Sequence, residues 1–249
     1  MNVNWLKRIT RIEMLLRNVL YISYCLPASL LRPLVPAFLP LRLVGEDKAF
    51  LSIVIINCQN VHLGAMPFPR FNYNQLNLRT YVLNSESGQP AVYFLKSGVT
   101  SPVISALTRG IGIPWQRIKF ETKSSVDSGN NLLEIKAVGT WQKDFKIIAG
   151  KDFVHPPNIS PFDNITSAVD FLIRPLEGYF YNGTRLGHIM IQHPEITPQF
   201  GALKLLDFPL LNETFNTRDL VSEKPQSVFF VDKAHFFIYM PPGYTKIKA

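Results

Sequence analysis

Prolines interrupt this chain so often that they decide where a long helix can form. The sequence has 19 prolines in 249 residues, and a proline inside a helix removes a hydrogen bond and clashes with the preceding turn. The segment before the first proline, Met1–Leu26, is the one stretch with the pattern of a long helix. Apolar residues recur there at spacings of three and four: Trp5, Ile9, Ile12, Leu16 and Val19. We therefore predict an amphipathic helix over residues 1–20 and a single domain over residues 1–249, with residues 21–249 as its body.

Basic residues of this predicted helix lie largely off its apolar face: Lys7, Arg8, Arg11 and Arg17. A basic amphipathic helix can lie on a membrane surface. Most amphipathic helices are instead half-buried against their own protein or a second subunit. We favour packing against protein and keep the membrane surface as the alternative.

From Ala49 onward the pattern is that of β-strands. The run Ala49–Cys58 is rich in β-branched residues, and residues 76–83 alternate between two faces. A turn at residues 88–90 and a return strand over residues 91–97 predict a hairpin. Short helices are predicted after the Ser101-Pro102 start signal and after Thr166 or Ser167. Further strands are predicted over Gln116–Lys123, Leu132–Trp141, Phe145–Ile148, Gly178–Tyr181, Leu186–Gln192, Ser227–Val231 and His235–Met240. A proline-rich loop is predicted over Asp152–Asn164, and the stretch Phe200–Leu211 is ambiguous.

Composition and charge narrow the function class. The hydrophobic fraction of 47% allows a full core, and the formal net charge is +8. Outside the N-terminus the basic residues are scattered, and no DNA- or RNA-binding signature is present, so we predict no nucleic-acid partner. Arginines and prolines interrupt the apolar stretch Leu15–Leu43 and no clear cleavage site follows it, so we predict a cytoplasmic protein. Two cysteines, Cys25 and Cys58, fit a reducing compartment.

Chemistry-bearing motifs are sparse. The chain has no phosphate-binding loop or dinucleotide fingerprint, and its five histidines lack metal-ligand spacing, so we predict neither a cofactor nor a metal. Arg79 lies mid-strand among apolar residues, where a guanidinium needs a partner. It could hold an anion, form a salt bridge or face solvent. Arg109, near the end of a short predicted helix, could instead complement the helix dipole. On these residues alone, a structural role is favoured for both arginines.

Three segments together carry a family resemblance. They are residues 75–82 (QLNLRTYV), the segment from residue 91 through Arg109 to Gly112-Ile113-Pro114, and the stretch around Arg174 and His193-Pro194. In order and spacing they resemble the YqjF-like family of uncharacterised bacterial proteins, which is similar to acetoacetate decarboxylase and is placed in its superfamily. The resemblance covers residues 19–211.

The resemblance implies a mainly β fold: an antiparallel, acetoacetate decarboxylase-like β-barrel with an interior cavity and a few short flanking helices. Acetoacetate decarboxylases carry Gly-Phe-Pro-Lys-Lys, in which one lysine forms a Schiff base and its neighbour lowers its pKa. The matching string here ends in Trp115 and Gln116, so both lysines are absent. Gln75 also stands where the family often has a glutamate.

We therefore expect the cavity to bind a small anionic or apolar molecule, such as a carboxylate, without Schiff-base chemistry. Whether the protein is an enzyme stays open, and no catalytic residue is assigned. The candidate ligand-binding residues are Arg79, Arg109, Gln75, Asn77, Tyr81 and Trp115. Strand alternation places Gln75, Asn77, Arg79 and Tyr81 on one face.

Two other functions remain open at this point. The first is a lyase acting on a small keto acid through Lys96, which lies on the same strand face as Val92 and Phe94, although a strand-end lysine that reaches solvent before Gly98 is favoured. The second is a peripheral membrane protein that holds a lipid-like molecule and binds through Met1–Leu20. Exposed strand edges and the apolar N-terminal face also allow a homo-oligomer.

Overall fold

The computed structural model describes residues 11–64, 66–129, 132–151, 159–215 and 224–246. Its strands are β1 (Arg11–Pro27), β2 (Leu43–Val44), β3 (Lys48–Leu63), β4 (Met66–Leu83), β5 (Pro90–Val99), β6 (Gln116–Arg117), β7 (Lys119–Val126), β8 (Leu132–Trp141), β9 (Lys143–Lys151), β10 (Glu177–Tyr181), β11 (Arg185–Gln192), β12 (Gln199–Asp207) and β13 (Ser227–Lys246). Its helices are α1 (Ala28–Leu31), α2 (Pro102–Gly110), α3 (Ile165–Leu172) and α4 (Pro209–Phe215), with a 3₁₀ turn over Arg32–Leu34.

Seven strands close into a ring. Their order is β1, β3, β4, β5, β10, β11 and β13, and the ring closes because β13 pairs with β1 as well as with β11. Most pairings are antiparallel, as expected. The pairings of β5 with β6 and with β10 are parallel, so the sheet is mixed. Helix α2 provides the crossover that the parallel β5–β6 pair requires.

The remaining long strands form an outer sheet that continues from β13 in the order β12, β9, β8 and β7. The described residues form three hydrophobic clusters, two of them large and one small around Tyr93 and Tyr179. The inner cluster lies inside the ring and includes Tyr21, Phe50, Val54, Tyr81, Phe171 and Phe229. The outer cluster joins the ring to the outer sheet and includes Leu20, Ile22, Ile53, Leu76, Phe145, Phe208 and Phe230. Successive residues of one strand therefore belong to different clusters.

The prediction of a helix over residues 1–20 is wrong for residues 11–20, which begin strand β1. This strand lies between β3 and β13, and residues 19–24 are buried without interruption because both faces of β1 are covered. A strand that is apolar on both faces contains helix-like spacings by chance, and pairing on both edges then decides the structure. The first ten residues lie outside the described part of the chain.

Other local predictions are confirmed. Strands β4 and β5 form the predicted hairpin. Ser101 caps α2, because its hydroxyl accepts a hydrogen bond from the backbone N–H of Ile104 at 3.3 Å. Helix α3 begins slightly earlier than predicted: Asn164 is its cap, accepting from the Ser167 N–H at 2.9 Å.

The bounds of the elements near the C-terminus differ from the prediction. The two predicted C-terminal strands are parts of one long strand, β13, and the ambiguous stretch Phe200–Leu211 divides between β12 and α4. Residues 152–158 of the predicted loop lie outside the described residues. Within the described ranges, no helix has the length and apolar character needed to cross a bilayer.

Candidate functional site

One face of β4 lines the inside of the ring, and it carries four of the predicted ligand-binding residues. Leu76 and Leu78 belong to the outer cluster, so the residues that alternate with them point inward. These are Gln75, Asn77, Arg79 and Tyr81. Tyr81 is fully buried, and Gln75 and Asn77 are 6% and 3% exposed. The structure thus brings these four side chains to one surface.

Arg79 is the half-buried cation of this surface. Its Nη2 donates to the carbonyl oxygen of Leu172 at 2.7 Å, and its guanidinium lies over the rings of Tyr21 and Tyr81 at 5.3 and 5.5 Å. Leu172 ends α3, so this carbonyl has no partner within the helix. Within the described residues Arg79 forms no ion pair, and its Nε has no hydrogen-bond partner. One buried N–H donor of Arg79 is therefore left for a ligand.

The pKa of Arg79 is raised overall. Burial by itself lowers the pKa of the guanidinium, but the phenols of Tyr81 and Tyr21 beside it outweigh that effect. Burial raises the pKa of Tyr21, and the Arg79 charge partly offsets this. Arg79 is therefore a permanent positive charge inside the ring.

The hydroxyl groups of Tyr81, Ser52 and Ser23 form a hydrogen-bonded chain. The Tyr81 hydroxyl donates to the Leu172 carbonyl at 3.0 Å, and it lies 2.7 Å from Ser52 Oγ. Ser52 Oγ in turn lies 2.7 Å from Ser23 Oγ. Because the single phenol proton goes to Leu172, Ser52 must donate to Tyr81 and Ser23 to Ser52. The proton order of this chain fixes Tyr81 beside Arg79.

Gln75 and Asn77 occupy the deeper part of the same face. Gln75 Nε2 donates to Asn77 Oδ1 at 3.0 Å, and Gln75 Oε1 lies 4.0 Å from Cys58 Sγ. Burial raises the pKa of Cys58 to about 12, so it is a neutral thiol rather than a nucleophilic thiolate. This end of the surface is polar but uncharged.

The two remaining predicted residues have different locations. Trp115 is 7% exposed and belongs to the inner cluster, as expected for a wall of the ring interior. Arg109 is exposed on α2, and its Nε donates to the Ser105 carbonyl within that helix at 3.2 Å. The structure does not bring Arg109 to the β4 surface.

Lys96 lies on the outer face of the sheet, whereas a nucleophile of the ring interior would lie on the inner face. A bulge shifts the β4–β5 register between Leu78 and Arg79, so Lys96 pairs with Leu78 and Phe94 pairs with Arg79. Paired residues share a face, and Leu78 belongs to the outer cluster. Lys96 therefore does not share the inner face of β5 with Val92 and Phe94, as it would in a regular strand.

His193 is a site residue that the sequence analysis did not identify. It follows β11, where Ile189 and Ile191 already contact the inner cluster, and its ring stacks on Phe236 with centroids 4.6 Å apart. Its Nδ1 lies 2.8 Å from the Pro194 carbonyl oxygen, whereas its solvent-shielded Nε2 has no partner. Burial lowers the pKa of His193, and the charges of Arg79 and Arg174 lower it further. The imidazole is therefore uncharged at neutral pH.

A pocket of about 920 Å³ is lined by residues of β11 and β13 and by the segment from the end of α3 to the start of β10. It is lined by the exposed Met190 and Leu176 and also by Ile191 and Met240, which contact the inner cluster. Arg174 lines it as well and forms ion pairs with Asp170 and Glu195. None of the six predicted residues lines this pocket.

Comparison with known proteins identifies the family of the chain. A family model described as an uncharacterized conserved protein, DUF2071, matches residues 13–234. The chain belongs to the DUF2071 family. A search of curated proteins gave no match to this DUF2071 protein.

Solved structures share the fold of this DUF2071 protein. An acetoacetate decarboxylase-like enzyme from Sphingomonas wittichii RW1 has a TM-score of 0.62 at 10% identity, covering 98% of this chain and 96% of its own. Acetoacetate decarboxylase from Legionella pneumophila has a TM-score of 0.58 at 13% identity, covering 94% and 86%. The enduracididine biosynthesis enzyme MppR, complexed with a condensation product of pyruvate and imidazole 4-carboxaldehyde, has a TM-score of 0.59 at 13% identity, covering 94% and 89%. At these identities the likeness establishes the fold alone, and it confirms the acetoacetate decarboxylase-like architecture.

Proposed function

We propose that the DUF2071 protein binds a small carboxylate inside the ring, with Arg79 as the principal contact and without a Schiff-base lysine. The observation that carries this proposal is Arg79, a cation on an inward-facing, largely buried surface that has no ion-pair partner and whose Nε has no hydrogen-bond partner within the described residues. A buried cation without a counter-ion is costly. A bound carboxylate would supply that counter-ion through a charge-assisted hydrogen bond.

The surroundings of Arg79 favour a small ligand with an apolar part. Tyr21, Tyr81 and Trp115 provide aromatic surface, while Gln75 and Asn77 provide amide groups at the other end of the β4 face. Ligand sites in proteins combine mostly apolar walls with a few placed polar groups. The enduracididine biosynthesis enzyme MppR, which shares the fold, has been solved in complex with pyruvate, which is such a molecule.

Native mass spectrometry of the purified protein tests whether the interior is occupied. We expect a non-covalent adduct with the mass of a small acid, which is released on denaturation. If no adduct is found, titration of the protein with pyruvate, acetoacetate and longer-chain carboxylates follows. A clean unliganded mass together with no binding across that series would contradict the proposal.

The proposal also excludes imine chemistry. Trp115 and Gln116 stand at the positions of the two motif lysines, and the Gln116 side-chain oxygen accepts from Trp141 Nε1 at 2.7 Å. Lys96, the other candidate, pairs with an outer-cluster residue. We therefore expect no mass increase when the protein is treated with pyruvate or acetoacetate and sodium borohydride. An acetoacetate decarboxylase is the positive control, and a reduced adduct on any lysine would overturn this part of the proposal.

A further inference from the structure

His193 is a polar group that the ligand proposal does not use. Its Nε2 is a buried acceptor without a partner within the described residues, and Arg79 Nε is a buried donor without one. Both residues belong to segments that meet at the C-terminal end of α3: Arg79 donates to the Leu172 carbonyl, and Arg174, two residues beyond Leu172, forms an ion pair with Glu195, two residues after His193. A charged donor beside a neutral acceptor is an arrangement that can bind an acid and move one of its protons.

The hydrogen bonding of His193 determines which nitrogen is free. Nδ1 faces the carbonyl oxygen of Pro194, so Nδ1 carries the proton and donates it. Nε2 then has an unshared electron pair, and within the described residues nothing donates to it. Stacking on Phe236 fixes the plane of the ring. The imidazole is thus held in the tautomer of a proton acceptor.

We propose that His193 is a general base for a small oxo acid whose carboxylate is held by Arg79. This inference rests on the proposed function, because it needs the carboxylate beside Arg79. The substrate class follows from the chemistry: imidazole is a weak base, so the carbon acid must be activated by an adjacent carbonyl group. A carboxylic acid that also has such a carbonyl is an oxo acid.

The step conserves atoms and electrons without a co-reactant. The C–H bond next to the carbonyl breaks, and Nε2 takes the proton to give imidazolium. The C–H electron pair forms the carbon–carbon double bond, and the carbonyl π pair moves to oxygen to give an enolate. The positive charge of Arg79 favours this developing negative charge, whereas Arg174 is already paired with Asp170 and Glu195. In D₂O the imidazolium exchanges its Nε2 proton for a deuteron from the solvent, and return of that deuteron to carbon restores the acid with deuterium at the activated C–H position.

Deuterium exchange into pyruvate tests the inference directly. We expect the wild-type protein in D₂O to exchange the methyl protons of pyruvate faster than buffer does, as followed by proton NMR. His193→Phe preserves a ring that can stack on Phe236 but has no proton acceptor, and it should lower the protein-dependent rate by about 100-fold or more. His193→Gln is the second variant, and thermal melting establishes that either variant is folded.

His188 provides a matched control. It also stacks on an aromatic ring, that of Tyr179 with centroids 4.7 Å apart, but its Nε2 is 3.1 Å from a Glu177 carboxylate oxygen. His188→Phe should leave the exchange rate unchanged.

Absence of exchange by the wild-type protein at high pyruvate concentration, or equal rates in wild type and a folded His193→Phe variant, would overturn the inference. If pyruvate binds but does not exchange, the proposed ligand function survives and the general base does not. If pyruvate neither binds nor exchanges, both the general base and the proposed carboxylate site fail for 2-oxo acids. Measuring binding and exchange on the same samples therefore separates the two failures.

Discussion

Arg79→Gln should weaken the binding of a small carboxylate by about 10- to 150-fold. Hydrogen bonds to charged groups contribute about 1.5–3 kcal/mol, and each 1.4 kcal/mol corresponds to a tenfold change in affinity. Glutamine is too short to replace the contact of Arg79 Nη2 with the Leu172 carbonyl, but that carbonyl still accepts from the Tyr81 hydroxyl at 3.0 Å. The variant therefore removes the charge with little disturbance of α3. Isothermal titration calorimetry with pyruvate, or with whichever acid is found bound, measures the effect.

Two comparison variants make this result specific. Arg117→Gln removes an exposed arginine of β6 and should leave affinity unchanged. Arg79→Lys retains the charge but not the planar fork, so it should recover only part of the lost affinity. Equal affinities of the wild-type protein and a folded Arg79→Gln variant would show that the ligand does not contact Arg79.

Phe208→Ala should lower the free energy of unfolding by about 3–5 kcal/mol, the range for a fully buried phenylalanine. Phe208 is 1% exposed and lies between the outer sheet and α4. Its ring contacts those of Phe145 and Trp141, with centroids 5.5 and 6.4 Å away. Removing the ring would leave a cavity in the outer cluster that these rigid neighbours cannot readily fill. Urea denaturation followed by tryptophan fluorescence measures the loss.

Leu205→Ala is the control for Phe208. Leu205 is on β12 only a few residues away but is 38% exposed. Truncation of Leu205 should lower the free energy of unfolding by only a small fraction of the Phe208→Ala loss, because an exposed side chain leaves no sealed cavity. Similar losses for the two variants would mean that the Phe208 ring is not a buried part of the outer cluster.

The inner face of β4 was predictable because its alternation is regular. Leu76 and Leu78 alternate with Gln75, Asn77 and Arg79, and this pattern alone places the polar residues together. His193 had the same kind of signal, since it continues the alternation of Ile189 and Ile191.

Other parts of the site depend on tertiary pairing and carry no local signal. Tyr21 and Ser23 were missed because β1 is apolar on both faces, so its sequence fits a helix as well as a strand. The position of Lys96 depends on a bulge in the β4–β5 pairing, and no turn-forming residue in the sequence predicts that bulge. The carbonyl of Leu172 becomes a partner of Arg79 only when the end of α3 meets β4.

The Nε–H resonance of Arg79, observed by nitrogen-15 NMR, tests the central claim most directly. In the unliganded protein this group has no hydrogen-bond partner within the described residues. Addition of a small carboxylate should shift the resonance and slow its exchange with water, and Arg79→Lys should identify the signal by its disappearance. An Arg79 resonance that stays unchanged while the ligand binds would place the ligand elsewhere and contradict the account.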